Sequence, residues 1–220
     1  MENQSIITYI TKKDVDDFTF SFPTFYHVLG NAKFYFKPIT LEVGSIHIVE
    51  GSEKSGKSIF LKSLTGLQVP SILPNNRDFL NYNIVYKPEI ISPKFSGTLE
   101  KFINENLKNA LYLKEILEVG GLEKFKNILV QDLEEEQKQL LSFLLFINKE
   151  GDIYIFDYPE NKVRENIRLL MWKILKNHCR LHSKASIVVE NNEEVCKRLQ
   201  PYKRYIISAF SDNEYYGQSE

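Results

Sequence analysis

At 220 residues, with 43% apolar and 13% aromatic content, the chain is long enough for one sizeable α/β domain with a full core. A formal net charge of −1 excludes attachment to nucleic acid through a global positive field, so any such contact must use local patches. Cys179 and Cys196 are too few for a disulfide scaffold, an iron–sulfur cluster or a zinc site. Met1 to Asp17 shows no apolar run preceded by positive charge, and nowhere do roughly eighteen apolar residues run uninterrupted, so the chain reads as soluble and cytoplasmic.

Residues 1–17 are read as an N-terminal segment, 18–210 as the folded domain, with a helical insert at about 99–147, and 211–220 as a flexible acidic tail. Phe18-Thr19-Phe20-Ser21-Phe22 alternates aromatic with polar residues. Phe34-Tyr35-Phe36 and Leu41-Glu42-Val43 are further strand-like pieces, broken by Gly30, Pro38 and Gly44, which predicts an antiparallel β layer.

Next, Ser45-Ile46-His47-Ile48-Val49-Glu50 reads as a strand. It runs into Gly51-Ser52-Glu53-Lys54-Ser55-Gly56-Lys57-Ser58, which fits G-x-x-x-x-G-K-[ST], and Ile59 to Leu64 reads as the following helix. This Walker A pattern wraps backbone N–H groups around nucleotide phosphates at a positive helix N-terminus. In that role Lys57 reaches the β- and γ-phosphates and Ser58 ligates Mg²⁺; the alternative is an empty relic loop. Lys54 sits in mid-loop where several families of ATP-binding proteins carry glycine.

Asn83-Ile84-Val85-Tyr86 is a predicted buried strand ending at Lys87-Pro88-Glu89, and a stiff loop carrying Lys94 runs from Ile91 to Thr98. Amphipathic helices are predicted over Leu99 to Asn106 and Ala110 to Val119, and another over Glu134 to Ile147. Asp152-Ile153-Tyr154-Ile155-Phe156-Asp157 has the form of Walker B, a buried strand delivering a carboxylate to a metal. A helix from Arg164 to Lys176 and strands at Ser186 to Val189 and Tyr205 to Ile207 complete the pattern. Lys173, Lys176, His178, Arg180, His182 and Lys184 form one basic stretch and Lys197, Arg198, Lys203 and Arg204 another, although such runs are more often solvated faces.

The P-loop, the aspartate strand about a hundred residues later and the helical insert between them look like an ABC-type nucleotide-binding domain. Tyr86-Lys87-Pro88-Glu89-Ile90-Ile91-Ser92-Pro93-Lys94-Phe95-Ser96-Gly97-Thr98 resembles the Q-loop segment of the second nucleotide-binding domain of the ABC-type ribosome-recycling factor, the RNase L inhibitor family. Asp152 to Pro159 and Val188-Val189-Glu190-Asn191 are similar to that domain's Walker B and switch segments. The resemblance implies an α/β fold with an antiparallel β layer, a mainly parallel core sheet and a helical insert. It further implies ATP, ADP or GTP as cofactor with Mg²⁺ held by Ser58, Asp157 and Glu89; Phe22 aligns loosely with the aromatic that stacks on the base, although an aromatic on a β layer is more often core.

The departures from that pattern point away from catalysis. The Q-loop glutamine is Glu89, and the signature Leu-Ser-Gly-Gly-Glu/Gln is Leu133-Glu134-Glu135-Glu136-Gln137. Three carboxylates there would repel a triphosphate, which disfavours an ABC-type homodimer, while a helix N-terminus favoured by the macrodipole accounts for their position without any function. The glutamate after Walker B is Tyr158, a poor base at pH 7, with Glu160 displaced by two residues; the switch histidine is Asn191 and the D-loop aspartate falls at Arg164. The expectation is a domain without catalytic residues that binds the ribosome or a translation factor as a silencing, storage or protection factor. The alternative is an active recycling-type ATPase completed by a partner subunit.

Overall fold

The computed structural model describes residues 4–10, 19–88, 95–157 and 162–210. In chain order the strands are β1 (Gln4–Ile10), β2 (Thr19–Phe22), β3 (Phe25–Leu29), β4 (Ala32–Phe36), β5 (Ile39–Glu42) and β6 (Ile46–Glu50). Helix α1 (Lys57–Leu64) and β7 (Ile84–Lys87) follow, then the insert helices α2 (Leu99–Asn106), α3 (Leu113–Val119) and α4 (Glu135–Ile147). Strand β8 (Ile153–Phe156), α5 (Glu165–His182), β9 (Ala185–Val189), α6 (Glu193–Leu199) and β10 (Lys203–Phe210) close the domain.

The main sheet has the order β1-β10-β6-β9-β8-β7, in which β10, β6, β9, β8 and β7 are parallel and β1 is an antiparallel edge. The antiparallel layer consists of the pairs β2–β5 and β3–β4. The fold class is thus α/β, with the parallel core and antiparallel layer that the sequence predicts. Strand β1 lies inside the segment that the sequence reading leaves outside the domain. The structure corrects that boundary: Ser5 to Ile10 pair in register with Ala209 back to Arg204.

The sheet is apolar on both faces because its central strands are short continuous hydrophobic runs rather than half-polar ones. Alternation then divides each strand between two cores. Val49, Ile153, Ile155, Ile187 and Tyr205 face α1 and an aromatic cluster from the antiparallel layer; Ile46, Ile48, Tyr154, Phe156 and Val188 face the insert, α5 and α6. Phe25, Phe36 and Phe60 are fully buried, and each such ring contributes about 1.5–3 kcal/mol by leaving water. Among the described residues, no helix is long and apolar enough to cross a membrane.

A buried ionic cluster pins α5 to the end of β9. Glu190 is fully buried and accepts from Arg168 Nε at 3.0 Å, Arg168 Nη2 at 3.2 Å, Trp172 Nε1 at 3.1 Å and the Asn192 amide at 2.9 Å. At the other end of α5, His178 packs edge-on against Tyr112 of the insert and Tyr154 of β8. Burial, followed by the charges of His182 and Lys184, pushes its pKa down to about 4.

Removing one member of a buried pair strands the other, so Glu190→Ala should cost about 3–5 kcal/mol of unfolding free energy in urea; a loss below about 1 kcal/mol would contradict a dry, buried contact. His178 also predicts an acid limb. A folded pKa below the ordinary 6.5 means that its contribution is present above about pH 6.5 and is lost as the pH falls through about 4. His178→Phe should make the fall in stability between those values shallower, and an unchanged slope would remove His178 from the account.

Candidate functional site

The three loops expected to meet a nucleotide leave the C-terminal ends of adjacent parallel strands, β6, β9 and β8, where open α/β sheets place their ligands. After β6 the chain turns at Gly51, whose φ is +153°. A Cβ there would lie 2.2 Å from the Ile207 carbonyl oxygen and 2.7 Å from Ser55 Oγ, so only glycine fits between the loop and β10. Lys54 has φ +63°, the left-handed conformation that glycine adopts most readily, which accounts physically for the residue that the sequence marks as unusual. Ser52, Glu53 and Lys54 are exposed, Ser55 and Gly56 are buried, and Gly56, at φ +104°, delivers the chain into α1 at Lys57 and Ser58.

The Lys57 ammonium arches back over the loop and donates to the carbonyls of Gly51 at 2.7 Å and Ser52 at 2.9 Å. A phosphate in the loop would compete for the same ammonium. The glycine-only approach at Gly51, the left-handed turn and the start of α1 together fit a phosphate group. Asp157, at the end of β8, is only 5% exposed, and its Oδ2 accepts from the Tyr86 hydroxyl at 3.1 Å. Among the described residues, no group of three or more His, Cys, Asp or Glu is placed to hold a metal alone. Ser58, at the start of α1, and Asp157 are the described residues among those that the sequence assigns to Mg²⁺. Glu89, Tyr158 and Glu160 lie outside the described residues.

Asn191, after β9, takes a position that its sequence reading did not foresee. Its Oδ1 accepts from the Gly51 amide at 2.8 Å and its Nδ2 donates to the Gly51 carbonyl at 3.0 Å. Both ends of the side-chain amide thus clasp Gly51, the first residue of the phosphate loop. Arg204 holds the preceding residue, Glu50, and reaches Glu193 Oε2 at 2.6 Å, so the entry to the loop is fixed from β9, β10 and α6.

The acidic run at the signature position forms the start of α4, as its reading as a helix N-terminus expects. Gln137 Oε1 accepts from the Glu134 amide at 3.0 Å, the return half of a capping box at the start of α4. Glu136 receives Arg164 through Nη2 at 2.7 Å, Nε at 3.0 Å and the backbone amide at 2.8 Å. Those bonds hold its carboxyl below the usual carboxylate range. Glu135 is held low as well, first by Gln139 at 2.9 Å and then by Lys162, 3.6 Å away. Gln139 in turn accepts from the fully buried Lys87 at 2.8 Å. Two of the three carboxylates are therefore paired with cations from the same chain, and the picture of three converging like charges is corrected. The sequence alone could hint at this only through two cations, Lys162 and Arg164, falling where an aspartate is expected.

Phe22 also needs correction. It is 2% exposed and packs with ring centroids 6.0 Å from Phe79 and 5.6 Å from Tyr82, so it belongs to the aromatic core and offers no open face to a base. The alternation of β2 turns Phe22 inward and leaves Thr19 and Ser21 outside.

No family model matches the chain. It is 24% identical over 180 residues to the translation initiation factor RLI1 of Chaetomium thermophilum, covering 79% of this chain and 28% of that protein. With the cytochrome c biogenesis ATP-binding export protein CcmA of Reclinomonas americana it shares 30% identity over 158 residues, covering 64% of this chain and 70% of that one. Among solved structures, archaeal ribosome recycling factor aABCE1 in complex with ribosomal stalk protein aP1 matches with a TM-score of 0.73 at 19% identity, over 90% of this chain and 41% of that one. The chain spans about a quarter of the length of the first curated relatives that it matches. With its phosphate loop, parallel core and antiparallel layer in place, the chain belongs to the family of ABC-type ATP-binding domains.

Proposed function

We propose that this chain is a catalytically degenerate domain, closest in kind to the second nucleotide-binding domain of the ribosome-recycling ATPases, that docks on the ribosome or a translation factor and holds it in a silent or protected state in the cytoplasm. The observation that carries the reading is the Glu136–Arg164 pair. It joins the signature position to the D-loop position within one chain, at 2.7 Å, where an ABC-type ATPase needs both surfaces open to a partner.

The retained residues suit binding. A nucleotide would supply phosphate oxygens to the α1 N-terminus and to the Lys57 ammonium and, with Mg²⁺, to Ser58 and Asp157. Asn191 keeps its amide on Gly51, so its role is to brace the loop rather than to sense a terminal phosphate. Tyr158, in the place of the general base, has no basicity near pH 7. Without turnover, nothing drives the opening that ends a recycling factor's stay on its partner, and occupancy becomes persistent. Support for the partner class comes from the relatives named as translation initiation and ribosome recycling factors.

Two measurements test this. Fluorescent ADP or ATP should bind the wild-type protein, with Lys57→Ala weakening binding at least about tenfold, a change of roughly 1.4 kcal/mol; phosphate release should stay at background, and release above background that Lys57→Ala abolishes would favour the active-ATPase reading instead. Purified protein should cosediment with ribosomes at low salt with or without nucleotide, and failure to cosediment in both conditions would overturn the proposed partner.

A further inference from the structure

The fold sorts the two basic stretches of the sequence into neutralised and unneutralised cations. Lys184 pairs with Asp152 at 3.3 Å, Lys203 with Glu42 at 2.8 Å, and Arg204 with Glu50 and Glu193, while His178 is buried and neutral. Lys173, Arg180, Lys197 and Arg198 are exposed and, among the described residues, none forms a salt bridge. These four lie on two helices that meet at Lys176. Lys173, Lys176 and Arg180 share a face of α5 at spacings of three and four, and Lys176 Nζ donates at 2.8 Å to the carbonyls of both Leu199 and Gln200 at the end of α6. Lys197 and Arg198 occupy the last turn of that same helix.

Helix-end cations usually serve the dipole, but here Lys176 already satisfies the terminal carbonyls, which leaves Lys197 and Arg198 surplus to that need. Within α5, burial and then the charge of Arg180 lower the Lys176 pKa. The carboxylates of α6, Glu193 and Glu194, lie one turn before Lys197 and Arg198; Glu193 is taken by Arg204 and only secondarily feels the charge of Lys197. In a chain of net charge −1, this is a local concentration of positive charge rather than part of a general field.

We propose that this α5/α6 face is a docking surface for the sugar–phosphate backbone of structured RNA. Lys173 and Arg180 are seven residues apart, about 10 Å along the helix axis, long enough to meet more than one phosphate of a strand. Flexible stems without an aromatic platform between them suit the shape-and-phosphate recognition of a duplex rather than the stacking of single-stranded bases. The face lies where α5 and α6 end, at the N-terminal edge of the parallel strands, so it is remote from the phosphate loop. The inference rests on the docking function proposed above for its biological partner, while its chemistry is testable alone.

The test compares wild type with Lys173→Gln/Arg180→Gln/Lys197→Gln/Arg198→Gln and with a control of equal charge change in the insert, Lys108→Gln/Lys114→Gln/Lys124→Gln/Lys126→Gln. Binding of a short labelled RNA duplex is followed from about 50 to 200 mM salt. The face variant should lose at least tenfold in affinity, with a log–log salt slope shallower by roughly three to four, while the control loses less than threefold. Equal losses in the two variants, no loss in either, or no binding of the duplex by wild type would each overturn the proposal. A wild-type protein that cosediments with ribosomes yet ignores the duplex would overturn this surface alone; one that binds the duplex yet ignores ribosomes would overturn the docking function and keep the surface.

Discussion

Gly51 is the constraint on which the upper end of the sheet depends. Its Cα lies against the Ile207 carbonyl of β10 at a separation that admits no side chain, its two polar groups are clasped by Asn191 from the end of β9, and its carbonyl also receives the Lys57 ammonium from α1. One residue thus joins three adjacent elements of the parallel sheet to the helix that would face a phosphate. The loop's shape follows from that junction rather than from the motif letters alone, because the left-handed turns at Lys54 and Gly56 have to close the chain between a fixed entry and a fixed helix start.

Two positions that depart from the ATPase pattern are engaged within the chain itself: Asn191 holds the first residue of the phosphate loop, and Arg164 binds Glu136. An exposed ion pair of this kind contributes little to stability, and Arg164 is 68% exposed, so stability does not explain why both partners are charged. The glutamates also serve locally, as the start of α4, where an acidic first turn meets the positive end of the helix dipole.

Much of this architecture is legible from local sequence. The strand, glycine-rich loop and helix around residues 46–64, and the buried strand ending at Asp157, are specified by short-range patterns that tertiary contacts reinforce. What stayed hidden is long-range or double-valued. Phe22 carries an aromatic that suits either a base or a core, and only its register opposite Ile39 decides for the core. Asn191 and Gly51 are 140 residues apart, and Glu136 and Arg164 are 28 apart, so neither pairing is visible in any window of the chain. Strand β3 is short and follows Pro23 closely, while α6 is a seven-residue helix marked by its N-cap Asn192, accepting from the Val195 amide at 3.0 Å, and by acidic residues in its first turn and basic ones in its last.

Helix α5 connects the two ends of the domain and limits how they can communicate. Its start is bonded through Arg164 to the insert, its second turn is pinned through Arg168 and Trp172 to Glu190 beside Asn191, and its last turns carry the unneutralised cations of the α5/α6 face. Eighteen residues at about 1.5 Å each separate these ends by roughly 27 Å. Coupling over such a distance requires an element with two arrangements of similar free energy, and a helix held by a buried ionic cluster is a poor one, since moving it would break contacts that cost about 3–5 kcal/mol to leave unmade. Nucleotide at one end and a polyanion at the other should therefore bind as independent events. That independence separates a domain that stays in place from one that must open and close around its nucleotide to work.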